Sequence, residues 1–166
     1  MSESTFCLEI FLQPGDFYFG DSDTRIRTLL GSCVSITMWH PRLRIGGMCH
    51  YMNSRGRPGR APGDLDGRYA DDVMEMFMAE LVRSRTAPAE YEVKMFGAGN
   101  QFPGKNAGST INVPDENIEG GLALLDQYGF SVAKRHIGGN GYRHVVFDVA
   151  TGNVWIRHVD RPVGED

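Results

Sequence analysis

The chain has 166 residues, 41% of them hydrophobic and 23% charged, enough for one domain with a sizeable core. Its net charge of -4 lacks the basic excess of a nucleic-acid binder. No apolar run nears the ~18–20 residues of a membrane span, the N-terminus lacks the basic-then-apolar order of a secretory signal, and the three cysteines include no CxxC pair, so a reducing cytoplasm is expected rather than a disulfide framework.

In chain order, Phe6 to Leu12 reads as a strand stopped by Pro14-Gly15, with a short strand Phe17 to Phe19 after it. Arg25 to Leu30 is β-rich, Gly31-Ser32 interrupts, and Cys33 to His40 resumes with β-branched alternation. Pro41-Arg42 signals a turn, which makes Arg44 to Met52 the returning strand. The segment from Ser54 to Gly67 is a polar loop rich in glycine, proline and arginine. The spacing of Ala70, Val73, Met74, Phe77, Met78 and Leu81 predicts a helix over Tyr69 to Arg85. Tyr91 to Phe96 reads as a buried strand before a glycine-rich loop, Gly97 to Gly108. Pro114-Asp115-Glu116 starts a second helix, which Gly120 and Gly121 weaken and Gly129 ends. Phe130 to Ile137, Arg143 to Val149 and Asn153 to Val159 read as strands. Without repeats or a linker, residues 1–166 are expected to form a single α/β domain with a mostly antiparallel sheet and two principal helices.

The hairpin carries the chemistry. If Pro41-Arg42 are its two central turn residues, His40 pairs with Leu43, and the ladder sets Cys33 directly opposite His50 on one face. A bulge at Gly46-Gly47 would shift that register by one. A thiol of ordinary pKa ~8.5 is mostly protonated at neutral pH, and a neighbouring imidazolium would stabilise the attacking thiolate. Gly31-Ser32 permits a sharp turn whose free N–H groups could meet a tetrahedral oxyanion. The arrangement suits amide hydrolysis through a thioester, with Cys33 as nucleophile and His50 as the proton carrier. A cysteine on a β-rich segment is more often a small buried hydrophobe, and Cys7 and Cys49 are read as core. His40 is expected to be solvated at its turn, and His136, His144 and His158 lie on separate predicted strands, where a structural role outweighs a site role for each.

Two other chemistries are weaker. Gly99 to Asn106 nearly matches a phosphate-binding loop, but it lacks the terminal hydroxyl and no helix opens at Lys105. Cys49 and His50 are adjacent on a strand and point to opposite faces, so they cannot easily chelate one zinc ion with Cys33 and His40. The expected chemistry involves no cofactor and no metal. A non-enzymatic binding module is the competing class.

The segment Thr28-Leu-Leu-Gly-Ser-Cys-Val-Ser-Ile-Thr, with Gly46-Gly-Met-Cys-His50-Tyr-Met, resembles the CheD family of chemoreceptor glutamine deamidases. Arg68-Tyr-Ala-Asp-Asp-Val-Met, Lys94-Met-Phe-Gly-Ala-Gly-Asn and Ile137-Gly-Gly-Asn-Gly-Tyr-Arg143 continue the likeness, which runs over roughly residues 6 to 160. Asn117-Ile-Glu-Gly-Gly-Leu resembles the second helix but departs from the family's usual Ile-Gly followed by Arg/Lys-Asn. The resemblance implies a layered α/β sandwich and catalysis by Cys33 and His50, with an upstream threonine as third residue, for which Thr28 is the candidate. It also implies glutamine side chains of methyl-accepting chemotaxis receptors as substrate and, in some relatives, a CheC-type phosphatase as partner. The loops Ser54–Gly67 and Gly97–Gly108 would rim the cleft, and arginines 55, 57 and 60 would meet acidic receptor helices unless they are merely solvated.

Overall fold

Strict alternation marks Thr24 to Leu30: Thr24, Ile26, Thr28 and Leu30 are buried while Arg25, Arg27 and Leu29 are exposed, as one buried sheet face requires. The computed structural model describes residues 7–54, 56, 59–101 and 113–160. Among these lie nine strands and two α-helices. In chain order they are β1 (Leu8–Leu12), β2 (Phe17–Gly20), β3 (Thr24–Leu30), β4 (Val34–His40), β5 (Ile45–Cys49), α1 (Ala70–Ser84), β6 (Glu92–Gly97), α2 (Val113–Gln127), β7 (Val132–Ile137), β8 (Tyr142–Asp148) and β9 (Val154–Val159). The sequence signals place every one of these elements within a few residues, and Gly129 follows the end of α2 in a left-handed conformation, as expected.

The strands form two sheets rather than one, with orders β1-β3-β8-β9 and β2-β5-β4-β6-β7. Among the described strand pairs, β1–β3 and β6–β7 are parallel and the other five antiparallel, so the fold is mostly antiparallel α/β. One core cluster lies between the sheets and holds Leu12, Ile26, Leu30, Met48, Phe96, Val145 and Phe147. The other lies between the five-stranded sheet and the helices, and includes Val34, Ile36, Met38, Val73, Phe77 and Leu125. This central layer is covered on both sides, which is why all but Trp39 of β4 is buried.

The hairpin register differs from the expected one. The β4–β5 loop has four residues, 41–44: the Arg44 N–H donates to the His40 carbonyl at 2.8 Å, and Arg44 takes a positive φ of 52°. His40 therefore pairs with Ile45, and Val34 with Tyr51. No bulge forms at Gly46-Gly47, whose pairs with Trp39 and Met38 are in sequence. The shift is by two residues. Cys33 and His50 thus keep a common face but become diagonal instead of direct neighbours.

Three further expectations are corrected. His40 is not solvated: it is 2% exposed, its Nδ1 accepts from the Leu43 N–H, and its Nε2 lies 3.1 Å from Glu90. Cys7 is exposed rather than core. Arg60 is neither solvated nor free to meet a partner, because it pairs with Asp72 at 2.9 Å and with Glu75 at 2.5 Å. Arg55, Arg57 and residues 102–108 of the second rim loop, with the Gly104-Lys105-Asn106 of the phosphate-loop motif, lie outside the described residues.

The glycines inside α2 serve contact. A Cβ on Gly121 would stand 2.3 Å from the Tyr51 hydroxyl and 2.9 Å from Met95 Cε. Their absence of side chain lets α2 approach the chain that leaves β5. Gly121→Ala should therefore cost about 1–3 kcal/mol, despite the better helix propensity of alanine. A chemical-denaturation midpoint would check this, and an unchanged or raised midpoint would contradict it.

Candidate active site

The chain leaves one sheet at Leu30 and enters the other at Val34, so Gly31, Ser32 and Cys33 are the crossing between layers. Cys33 is half-buried at the start of β4, beside the inter-sheet core. His50 is buried just past the end of β5. Thr28 belongs to the other sheet and points inward from β3. Thr28 and His50 meet where the sheets join, and Cys33 lies at the crossing between the layers, packed against the inter-sheet core.

Thr28 Oγ1 and His50 Nδ1 are 2.8 Å apart. The same hydroxyl donates to the Leu12 carbonyl at 2.8 Å. A threonine hydroxyl has one proton and a carbonyl can only accept, so the proton between Thr28 and His50 must sit on Nδ1. The His50 Nε2 is then left with its lone pair, the form a proton acceptor needs. The His50 carbonyl accepts from the Gly15 N–H at 2.8 Å, which fixes the backbone as well as the ring.

Burial sets the charge state. It pulls the His50 imidazole down to about 4, against the opposing pull of the Asp16 carboxylate. It also raises the Cys33 thiol. Burial thus favours the neutral form of each group and works against the imidazolium–thiolate pair expected from the sequence. Cys49 is fully buried, its thiol pushed up to about 12 by burial, and its Sγ accepts from the Ile36 N–H at 3.3 Å. It is the inert core cysteine that the sequence suggested.

Sequence reasoning found the glycine segments one by one but not their convergence. The Ala98 N–H donates to the Cys33 carbonyl at 2.8 Å, and the Gly99 N–H to the Gly31 carbonyl at 2.9 Å. Gly97 has a φ of +113°, and a Cβ there would stand 2.3 Å from the Cys33 carbonyl oxygen. Beneath them Arg143, 2% exposed, donates to the Gly97 and Gly138 carbonyls at 3.1 and 2.7 Å and to His136 Nδ1 at 2.8 Å. Gln101 donates to the Gly141 carbonyl. His158 Nε2 donates to the Asn140 carbonyl at 2.7 Å, so His136 and His158 belong to this scaffold, whereas His144 is exposed on β8. Among the described residues no cluster of His, Cys, Asp and Glu has the arrangement of a metal site, and no helix is long and apolar enough to cross a membrane.

Residues 54–158 match the family model described as CheD chemotactic sensory transduction. A relative from Dechloromonas aromatica, named probable chemoreceptor glutamine deamidase CheD 3, is 47% identical over 149 residues, covering 89% of this chain and 86% of the relative. One from Pseudomonas savastanoi pv. phaseolicola, named probable chemoreceptor glutamine deamidase CheD, is 46% identical over 153 residues, covering 90% and 84%. One from Albidiferax ferrireducens, named probable chemoreceptor glutamine deamidase CheD 2, is 40% identical over 166 residues, covering 100% and 95%. With a match over more than half its length and relatives aligned along nearly all of theirs, the chain belongs to the CheD family.

Proposed function

We propose that this chain is a cytoplasmic protein-glutamine deamidase acting on methyl-accepting chemotaxis receptors, with Cys33 as nucleophile, His50 as base and Thr28 as the group that orients the base, all within one domain. The names of its relatives support the substrate class. The observation that carries the mechanism is the Leu12–Thr28–His50 hydrogen-bond chain, which leaves Nε2 unprotonated on the face that His50 shares with Cys33.

In the first step His50 Nε2 takes the Cys33 thiol proton as Sγ attacks the glutamine carboxamide carbon. The tetrahedral oxyanion collapses while His50 returns its proton to the nitrogen, and ammonia leaves. The resulting thioester is attacked by a water whose proton His50 removes, which frees the glutamate carboxyl and restores the thiol. A neutral resting pair suits this sequence, because charge appears only when substrate excludes water and the oxyanion donors are in place. Incubation with receptor peptides should release ammonia and give the small mass gain of amide-to-acid conversion. No gain on any receptor glutamine would refute the reading.

Thr28→Val keeps the shape of the side chain but leaves the His50 Nδ1–H and the Leu12 carbonyl without partners. It should lower stability by about 1–3 kcal/mol and lower kcat by roughly tenfold or more, since the ring loses its fixed tautomer. Thermal melts and steady-state ammonia release check both. Full activity in a folded variant would remove Thr28 from the mechanism.

A further inference from the structure

The β4–β5 ladder stops at the Val34–Tyr51 pair, with N–H to carbonyl bonds of 3.0 and 2.9 Å. Beyond it the strands need another tie. The next backbone bonds do not form across the hairpin: the Met52 and Asn53 N–H groups both go to the Arg68 carbonyl instead, at 2.8 and 3.0 Å. The missing link is a side chain. Asn117, buried on the first turns of α2, donates its amide N–H groups to the Met52 carbonyl at 3.0 Å and, more loosely, to the Ser32 carbonyl at 3.4 Å. The Asn117 backbone carbonyl accepts from the Tyr51 hydroxyl at 2.5 Å, which fixes α2 over the end of the hairpin.

This bridge bears on the peptide that joins Ser32 to Cys33. In a planar trans peptide the carbonyl and the N–H point opposite ways. With the Ser32 carbonyl turned toward α2, the Cys33 N–H is turned away from it, toward the β6 side of β4. The Cys33 carbonyl on that side is taken by the Ala98 N–H, yet the Cys33 N–H donates to no partner among the described residues. An N–H on the nucleophile itself, without a partner among the described residues, is within reach of the oxygen of a carbonyl that its thiol attacks.

We propose that the Cys33 N–H is an oxyanion donor and that Asn117 is the positioning residue that aims it. The proposal rests on Cys33 being the nucleophile. The Asn117 side chain bonds the Ser32 and Met52 carbonyls, and it acts through the Ser32–Cys33 peptide. Asn117 lies near the start of α2, on the side of the helix that faces the hairpin.

The test separates the oxyanion from the thiol. Iodoacetamide alkylation needs the thiolate but forms no oxyanion, whereas amide hydrolysis needs both. Asn117→Ala and the isosteric Asn117→Asp, which has no amide donors, should lower kcat for ammonia release by about 30- to 100-fold. KM and the Cys33 alkylation rate should stay within about twofold. Asn117→Gln, which keeps the donors, should recover part of kcat. The proposal is overturned if kcat stays within threefold of the parent in both variants. It is equally overturned if alkylation falls in parallel with kcat or a variant fails to fold, since Asn117 would then only hold the structure together. Failure of the underlying reading looks different: Cys33→Ala would retain ammonia release in the same assay.

Discussion

Replacing Cys33 by alanine should abolish ammonia release from receptor glutamines while leaving the fold intact. Cys33 is half-buried and sits at the rim of the inter-sheet core, so deleting one sulfur should cost no more than about 1 kcal/mol of stability. Its neighbours are held by main-chain bonds that alanine also makes: the Cys33 carbonyl accepts from Ala98, and Val34 pairs with Tyr51. Activity has no such substitute. Loss of the nucleophile from a unit that works in concert should lower kcat by at least ~10⁴-fold. A folded Cys33→Ala protein with unchanged ammonia release would mean that the chain binds chemoreceptors or a CheC-type phosphatase without performing this chemistry. Loss of activity with receptor binding retained would separate catalysis from docking.

His50→Gln is expected to have the next largest effect, a fall in kcat/KM of about 10²- to 10⁴-fold, the usual worth of a positioned base. Two pH signatures accompany it. In the parent, the acid limb of kcat/KM should fall near the folded value of about 4, because burial holds the imidazole neutral far below the ordinary histidine range. The second signature concerns stability. The folded pKa lies below the unfolded value of ~6.5, so below that pH the unfolded chain binds a proton that the folded chain resists. Stability should therefore be level above pH ~6.5, decline between ~6.5 and ~4, and stop declining from this cause once the folded imidazole also protonates. Glutamine cannot titrate, so the variant should lose that part of the slope. Urea midpoints measured at pH 7 and pH 4.5 for both proteins test it. An equal decline in the two would contradict the buried, neutral state of His50.

The apolar stripe of residues 70–81 made α1 legible, because it buries one face of the helix, and the β-rich runs 25–30 and 143–149 marked their strands. The pairing of Cys33 with His50 on one face was legible too, but for a partly mistaken reason. Pro41-Arg42 suggested a two-residue turn, and Arg44, a non-glycine residue in the left-handed region, gave no warning of the longer loop. An even shift preserves side-chain parity, so the face survived although the opposition did not.

The division into two sheets was not legible, since alternation shows that a face is buried but not what buries it. That matters most at Thr28. Its inward direction follows from the alternation of β3, but its reach to His50 depends on β3 and β5 belonging to different layers that meet at the Gly31–Cys33 crossing. Asn117 was hidden for a similar reason. A polar residue near a helix start reads as a cap or a solvated position, and only the approach of α2, allowed by Gly120 and Gly121, turns it into a bridge between the two ends of the hairpin. The glycines that weakened the helix signal are what bring the helix close.

The most direct test of the account is acid-quenched mass spectrometry of the protein during turnover of a glutamine-containing receptor peptide. A transient adduct on the Cys33 peptide is expected, with the mass of the substrate less one ammonia, absent from Cys33→Ala and longer-lived in His50→Gln relative to its rate of formation. Deamidated product accumulating with no such adduct, or an adduct mapped to Cys7 or Cys49, would contradict it.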